Sequence, residues 1–211
     1  MSQNLPAVFN DKGFVSRFNS GRSIKTMKWA AEKQYVTQLL QRNTELTRCS
    51  SESIGISLLD AAFSGLSLAP SLGHAYLIPY GPTCTFSPGY KGLLHLVYRA
   101  GTIKSVQSVL VYKGDEFTVW TEDGERHIKH VEKHTSGAEV IAAYCIAKYA
   151  SGEHNIEVMD KSQLDAVEAQ ATRSDRGGMV WRSAWKGQMQ RKAVIRRASA
   201  YWPRDDGGRM E

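Results

Sequence analysis

The sequence predicts an α+β fold: a central antiparallel β-meander with an N-terminal helical lobe, a protruding β-hairpin and a long C-terminal helix. Three observations predict it. Apolar residues keep a helical spacing from Ser23 to Gly65. From Ala75 to Met159 most apolar runs alternate as strands do, with one helical interruption at Tyr90 to Arg99. After Asp160 the spacing is helical again. Nowhere do strands and helices alternate in the β-α-β order of a parallel, nucleotide-binding sheet.

Residues 1–22 mix polar positions with Pro6, Gly13 and Gly21, and read as an arm with at most short helices. Ile24, Met27, Ala31, Tyr35 and Leu39 then mark an amphipathic helix reaching about Leu46. A second helix starts at Ser51 as N-cap, carries Ile54, Leu58, Ala61 and Ala62 on its apolar face, and stops at Gly65. Ala75 to Pro79 and Thr83 to Ser87 flank Tyr80-Gly81-Pro82 as a hairpin, and Pro79 confines the first strand to an edge or finger. Tyr90 to Arg99 is a helix through Leu93, Leu94 and Val97, with Gly101 past its end. Strands follow at Ile103 to Tyr112, Glu116 to Thr121, Ala138 to Tyr149 and Ile156 to Met159. Asp160 with Gln163 has capping-box spacing and opens a helix to about Ala171. Thr172 to Gly178 reads as a loop, and a last helix runs from about Met179 to Trp202, ended by Pro203.

The chain is long enough for one well-cored domain, placed at residues 23–203 between the arm and a short tail, 204–211. Hydrophobic residues at 42% and charged residues at 23% are near globular averages, so most of the chain should fold. Its longest apolar stretches, such as Val140 to Ile146, fall well short of the roughly 20 residues of a membrane helix, and no signal peptide opens it. A cytoplasmic location without membrane contact is the expectation. Cys49, Cys84 and Cys145 are odd in number and widely spaced, which disfavours both a disulfide framework and a thiolate zinc site. They read as reduced, packed thiols.

Charge is distributed unevenly. Between Arg173 and Arg204 nine Lys/Arg face one acid, Asp175, a balance of +8, whereas the remaining residues carry 18 basic and 20 acidic groups. A mildly acidic body with one basic segment has the form of a localised polyanion site. A merely solvated helix face would interleave acids among these cations. On one continuous helix Trp181, Trp185, Lys192 and Arg196 fall within about 60° of each other, with Met189 close by. Flat π-faces for bases beside cations for phosphates are what a single-strand surface needs. The competing reading places Trp181 and Trp185 in the core, with the basic side chains passing over them.

Two sets of motifs carry a more specific resemblance. The first is Gly65-Leu66-Ser67-Leu68-Ala69-Pro70, then Gly73-His74-Ala75-Tyr76-Leu77-Ile78-Pro79-Tyr80-Gly81, then Gly89-Tyr90-Lys91-Gly92-Leu93. The second is Trp181 followed by Met189-Gln190-Arg191-Lys192-Ala193-Val194-Ile195-Arg196-Arg197, with Ala193 where Thr is common. In this order, over about residues 23 to 203, they resemble the RecT/Redβ family of phage-type single-strand annealing proteins. The resemblance implies a core related to other strand-annealing proteins, single-stranded DNA and an annealed duplex intermediate as ligands, and homo-oligomeric rings or helical filaments. It also implies a bacterial, phage or prophage setting, and an exonuclease or host single-strand-binding protein as partner. Relatives often continue into a C-terminal region that recruits such partners, whereas this sequence ends eight residues after Pro203. Carried over onto matching positions, Tyr90, Lys91, Lys186, Arg191 and Lys192 become phosphate contacts. The charge segment adds Arg173, Arg196 and Arg197, and the aromatic face adds Trp181 and Trp185.

Other chemistries find less support. No G-x-x-x-x-G-K-[ST] phosphate loop is present, so strand exchange driven by ATP is not expected, and no cofactor is called for. His127, His130 and His134 have a spacing that a metal could use, but they lie in a charged stretch between strands, and a polar loop is the preferred reading. A metal-dependent nuclease would need converging carboxylates, and Asp115, Glu116 and Asp123 read as solvated turn residues. The alternatives to an annealer are therefore a DNA-processing nuclease and a single-strand coat protein that does not anneal.

Overall fold

In the computed structural model, which describes residues 6–173 and 179–203, a 3-10 turn (Ala7–Asn10) leads into helix α1 (Lys12–Gly21). The described chain divides into two units, one ending at His95 and the other beginning at Leu96. Asp175, Arg176 and Arg204 of the basic segment, and Ser174, Gly177 and Gly178 of the expected loop, lie outside the described residues.

In the first unit, the described part of the expected arm, residues 6–22, contributes Phe9, Phe14 and Phe18 to the core. Asp11 caps α1 by accepting the Phe14 N–H at 2.6 Å, and Phe14 and Phe18, one turn apart, are buried with Phe9. Their three rings surround Trp29, the first residue of α2 (Trp29–Arg42), at centroid distances of 5.2 to 5.6 Å. Helix α2 is shorter than expected, and its buried face is turned by one residue. Glu32, Val36 and Leu40 are buried, while Ala31, Tyr35 and Leu39 are half-buried beside them.

Helix α3 (Ser51–Ser64) has Ser50 as its N-cap, one residue before the expected Ser51, and ends at Gly65 with φ 69°. Ile54, Leu58, Ala61 and Ala62 are buried, as their spacing requires. Two serines one turn apart fasten α3 to the hairpin of β1 (Ala75–Tyr80) and β2 (Thr83–Pro88). The Ser53 hydroxyl accepts the Cys84 N–H at 3.0 Å, and the Ser57 hydroxyl donates to the Cys84 carbonyl at 3.0 Å. Helix α4 (Tyr90–Ala100) follows.

The second unit is built on a three-stranded antiparallel sheet ordered β3 (Ile103–Tyr112), β6 (Val140–Tyr149), β7 (His154–Asp160). Between β3 and β6 lies a separate hairpin, β4 (Glu116–Glu122) and β5 (Glu125–Val131). Strand β5 replaces the expected polar loop. Asp123 (φ 50°) and Gly124 (φ 83°) form the two-residue turn that folds it back. Helix α5 (Lys161–Ala171) has the capping box expected of Asp160 and Gln163. Helix α6 (Lys186–Ala198) continues into a 3-10 turn, Ser199–Tyr201.

Sheet register sorts the two faces. Ala143, Cys145 and Ala147 of β6 are buried small residues in register with Leu110, Ser108 and Val106 of β3 and with Met159, Glu157 and Asn155 of β7. Helices α5 and α6 pack on the strands, and the shortness of these side chains lets α6 come near. On the alternate face Ala142 and Tyr144 cluster with Val111, and Phe117 and Ile128 of the β4–β5 hairpin pack against them.

A buried carboxylate ties down the base of that hairpin. The side chain of Asp115 is fully buried and accepts backbone N–H groups from Tyr112 (2.8 Å), Lys133 (2.9 Å) and His134 (2.9 Å). It also pairs with the His130 ring at 3.0 Å and the His134 ring at 2.7 Å. Desolvation pushes its pKa upward, but these hydrogen bonds together hold it well below the ordinary carboxylate range. Asp115, expected to be solvated, is thus a structural clasp. Of the three spaced histidines, His130 and His134 serve that clasp, while His127 stacks on Trp120.

Candidate nucleic-acid interface

Helix α6 carries the core of the basic segment, and its sequence divides into an anchoring face and a cationic remainder. Gln190, Val194, Ile195 and Ala198 are buried, and Trp202 beyond the helix is buried with them. Gly187 allows close approach to β3, since a Cβ there would stand 3.1 Å from Leu110 Cδ1.

Three of the proposed phosphate contacts already have protein partners. Arg191 donates to the Ser108 carbonyl of β3. Arg197 Nε pairs with Glu157 Oε1 of β7 at 2.8 Å, and Lys186 Nζ with Glu168 Oε2 of α5 at 2.7 Å. The acids missing from the segment itself therefore come from neighbouring elements. These three cations hold α6 on the sheet and on α5.

Four other cations of the segment stand at or near the surface: Arg173, Arg182 and Arg196 are exposed, and Lys192 is half-buried. Lys192 and Arg196 are one helical turn apart. Burial, and then the Arg196 charge, hold the Lys192 ammonium below the ordinary lysine value. A phosphate beside this pair would relieve both effects, because an anion favours the charged amine.

The two tryptophans part company. Trp181 is 6% exposed and belongs to the core, whereas Trp185 is 66% exposed. Neither rides on α6, because the helical turn at residues 179–181 is interrupted before Lys186. Ser183 makes the break: its hydroxyl donates to the Val180 carbonyl at 2.8 Å and accepts the Trp185 N–H at 3.2 Å. The single face expected to join Trp181, Trp185, Lys192 and Arg196 on one continuous helix is corrected accordingly. Tyr201, 69% exposed after α6, is an aromatic that the sequence reading did not single out.

Tyr90 and Lys91 belong to the first unit, at the start of α4, where the glycine-rich motifs meet. Gly89 donates its N–H to the His74 carbonyl at 2.8 Å. A Cβ at Gly92 would fall 2.0 Å from that same carbonyl oxygen, and one at Gly89 would fall 2.6 Å from the Gly73 oxygen, so only glycine permits this crossing. Lys91 is exposed and Tyr90 half-buried. The rings of His74 and His95 stack at 4.5 Å, and burial, His95 and Lys91 all lower the His74 pKa. On β1, Tyr76 and Tyr80 are 49% and 64% exposed and share a face, about 13 Å apart along the strand. His74, Tyr76, Tyr80 and His95 were not singled out as site residues. The exposed side of an alternating strand next to Lys91 was the signal for the two tyrosines.

Glu32 underlies the Gly65–Pro70 motif. It is 3% exposed, accepts the Ser67 hydroxyl at 2.6 Å and the Leu68 N–H at 2.9 Å, and is raised in pKa by burial against the opposing pull of those bonds. Surfaces that combine exposed guanidinium, ammonium and aromatic groups in this way can neutralise phosphates and stack bases.

Two known proteins are similar in sequence to this chain. Protein RecT of Escherichia coli K12 is 29% identical over 175 residues, which cover 79% of this chain and 64% of that protein. The protein YqaK of Bacillus subtilis 168, named as uncharacterized, is 27% identical over 198 residues, covering 94% of this chain and 66% of that one. The chain thus spans just under two thirds of the length of either relative. The RecT family model matches residues 31–210, from α2 through both units, and the chain belongs to the RecT family.

Proposed function

We propose that this chain binds single-stranded DNA and pairs complementary strands without ATP, as a recombination protein that performs no covalent chemistry. The observation that carries this reading is the concentration of positive charge on and around α6, in a chain whose remaining residues are slightly acidic. Arg191, Arg197 and Lys186 hold the helix in place, while the exposed Arg173, Arg182 and Arg196 and the half-buried Lys192 are placed to meet phosphates and the exposed Trp185 to meet a base. Membership of the RecT family supports the same direction.

The mechanism follows from elementary energetics. Cations offset phosphate repulsion and hold one strand extended, with its bases accessible, until a second strand finds its register. Stacking, at about 1.4 kcal/mol per base step, then drives pairing. A long strand needs a continuous groove, so self-association into rings or filaments is part of the proposal, as are a bacterial cytoplasmic setting, phage or prophage origin, and an exonuclease or single-strand-binding protein as partner.

Mixing two labelled complementary oligonucleotides with the protein, with and without Mg²⁺ and ATP, tests the reading. Pairing should accelerate equally in all conditions. Slowed pairing would mark a coat protein, and Mg²⁺-dependent cleavage would mark a nuclease; either result overturns the proposal.

A further inference from the structure

The face of the β3-β6-β7 sheet that α6 leaves uncovered holds a second feature. A trough of about 490 Å³ opens there, lined by residues of the β4–β5 hairpin, of β6 and β7, and of the turn between those two strands. That size is within the roughly 300–1,000 Å³ typical of sites for small organic groups. Two cross-strand pairs, two residues apart, supply one side. Ile146 lies opposite Ile156, and Lys148 lies opposite His154. These positions alternate with Cys145 and Glu157, and Glu157 pairs with Arg197 of α6, so the trough is on the other face of the sheet.

The hairpin supplies the rest. Trp120 and His127 are directly opposite each other in register, and their rings stack at 5.3 Å with 21° between planes. Trp120 remains 42% exposed. Among the described residues no carboxylate lines the trough. It therefore combines the aromatic pair of Trp120 and His127 and an isoleucine floor with one ammonium, Lys148, and one further imidazole, His154. A purely apolar ligand would leave the Lys148 ammonium desolvated without a counter-charge and the His154 ring without a hydrogen-bond partner, and a cation would be repelled by Lys148. A flat heteroaromatic ring that carries an anionic group satisfies both halves.

We infer that this trough takes one base-and-phosphate unit of a nucleic-acid strand, the base against Trp120 and His127 and the phosphate at Lys148 and His154, as a strand contact separate from α6. The inference rests on the reading of the chain as a single-strand binder. It gives the second unit two strand contacts on opposite faces of one sheet.

The test uses the full chain and a fluorescein-labelled oligo(dT), with Trp120→Ala, Trp120→Phe, Lys148→Glu and, in parallel, Lys192→Glu. Trp120→Ala should bind about 5- to 100-fold more weakly, with Trp120→Phe close to wild type and circular dichroism melts unchanged. Lys148→Glu should lose affinity as well. Wild-type affinity in both Trp120→Ala and Lys148→Glu would overturn the inference, and so would a change confined to the size of the DNA-free protein in light scattering, which would make the trough a contact between copies. Should Trp120→Ala fail to fold, photo-cross-linking of the wild-type chain to a 5-iodouracil oligonucleotide decides instead. Adducts on the Trp120 or His127 peptide support the inference, and adducts confined elsewhere overturn it. If Lys192→Glu alone loses binding, only the trough assignment falls; if no variant does, the single-strand reading falls with it.

Discussion

Replacing each of the two neighbouring tryptophans by alanine should separate folding from binding. Trp181 is 6% exposed, so nearly all of its surface, on the order of 250 Å² for a large aromatic residue, is removed from water. At about 25 cal/mol per Å² this is an upper bound near 6 kcal/mol, and core Trp→Ala changes typically cost about 3–5 kcal/mol. Trp185 is 66% exposed, which leaves a third of that area, an upper bound near 2 kcal/mol from which the retained Cβ subtracts. Trp181→Ala should therefore lower the melting temperature by about 10 °C, at some 2–4 °C per kcal/mol for a chain of this size. Trp185→Ala should shift it by less, at most about 4–8 °C before the retained Cβ is subtracted, while weakening oligonucleotide binding by about 1–3 kcal/mol. Circular dichroism melts and fluorescence-anisotropy titrations of the two variants provide the comparison. Equal destabilisation by both changes, or unaltered DNA affinity of a folded Trp185→Ala protein, would refute the assignment of Trp181 to the core and Trp185 to the strand.

Oligonucleotide affinity should fall steeply with salt and depend little on base sequence, because the proposed site is made of phosphate-directed cations. With about four phosphates neutralised by Arg173, Arg182, Lys192 and Arg196, the loss between 50 and 200 mM salt should be about 50-fold; a flat titration would remove α6 from the binding surface. Glu32→Ala strands the Ser67 hydroxyl and the Leu68 N–H and should cost about 2–4 kcal/mol in urea melts. Since folding raises the pKa of Glu32, its carboxyl contributes stability at low pH that is lost as pH rises through the raised value, so Glu32→Gln should gain on wild type from about pH 4 upward. Cys145 is fully buried, and burial followed by the nearby Glu157 charge lifts its thiol to about 12, so it should react with a thiol reagent only as fast as the second unit opens; prompt native-state labelling would contradict its packing.

Local signals in the sequence carry most of the fold. Asp160 with Gln163, Gly65 and Gly101 after helices, and the paired runs around Tyr80-Gly81-Pro82 mark elements that the structure contains almost residue for residue. The differences arise where tertiary packing outweighs periodicity. Glu32 sits on the buried face of α2 because Ser67 and Leu68 solvate it, which hydrophobic spacing alone cannot anticipate. Phe14 and Phe18 were one helical turn apart behind an Asp11 cap, but Gly13 and Gly21 masked the helix. Asp123-Gly124 was a readable hairpin turn, hidden by the charge of the strand after it. For the site, the basic segment was legible as charge, yet the division of labour within it was not. Pairing of Lys186 with Glu168 and of Arg197 with Glu157 joins residues far apart in the chain, and the helix break before Lys186 depends on one serine hydroxyl.

The most direct test of strand annealing through α6 is the ATP-free pairing rate of complementary oligonucleotides with wild-type protein and with Lys192→Glu. Lys192 is half-buried and lies one turn from Arg196, so the variant carboxylate would face a guanidinium while reversing the charge met by phosphate. Wild-type protein should accelerate pairing well above the spontaneous rate, and Lys192→Glu, folded with an unchanged melt, should return it to that rate. A folded Lys192→Glu protein that anneals as fast as wild type would contradict the account.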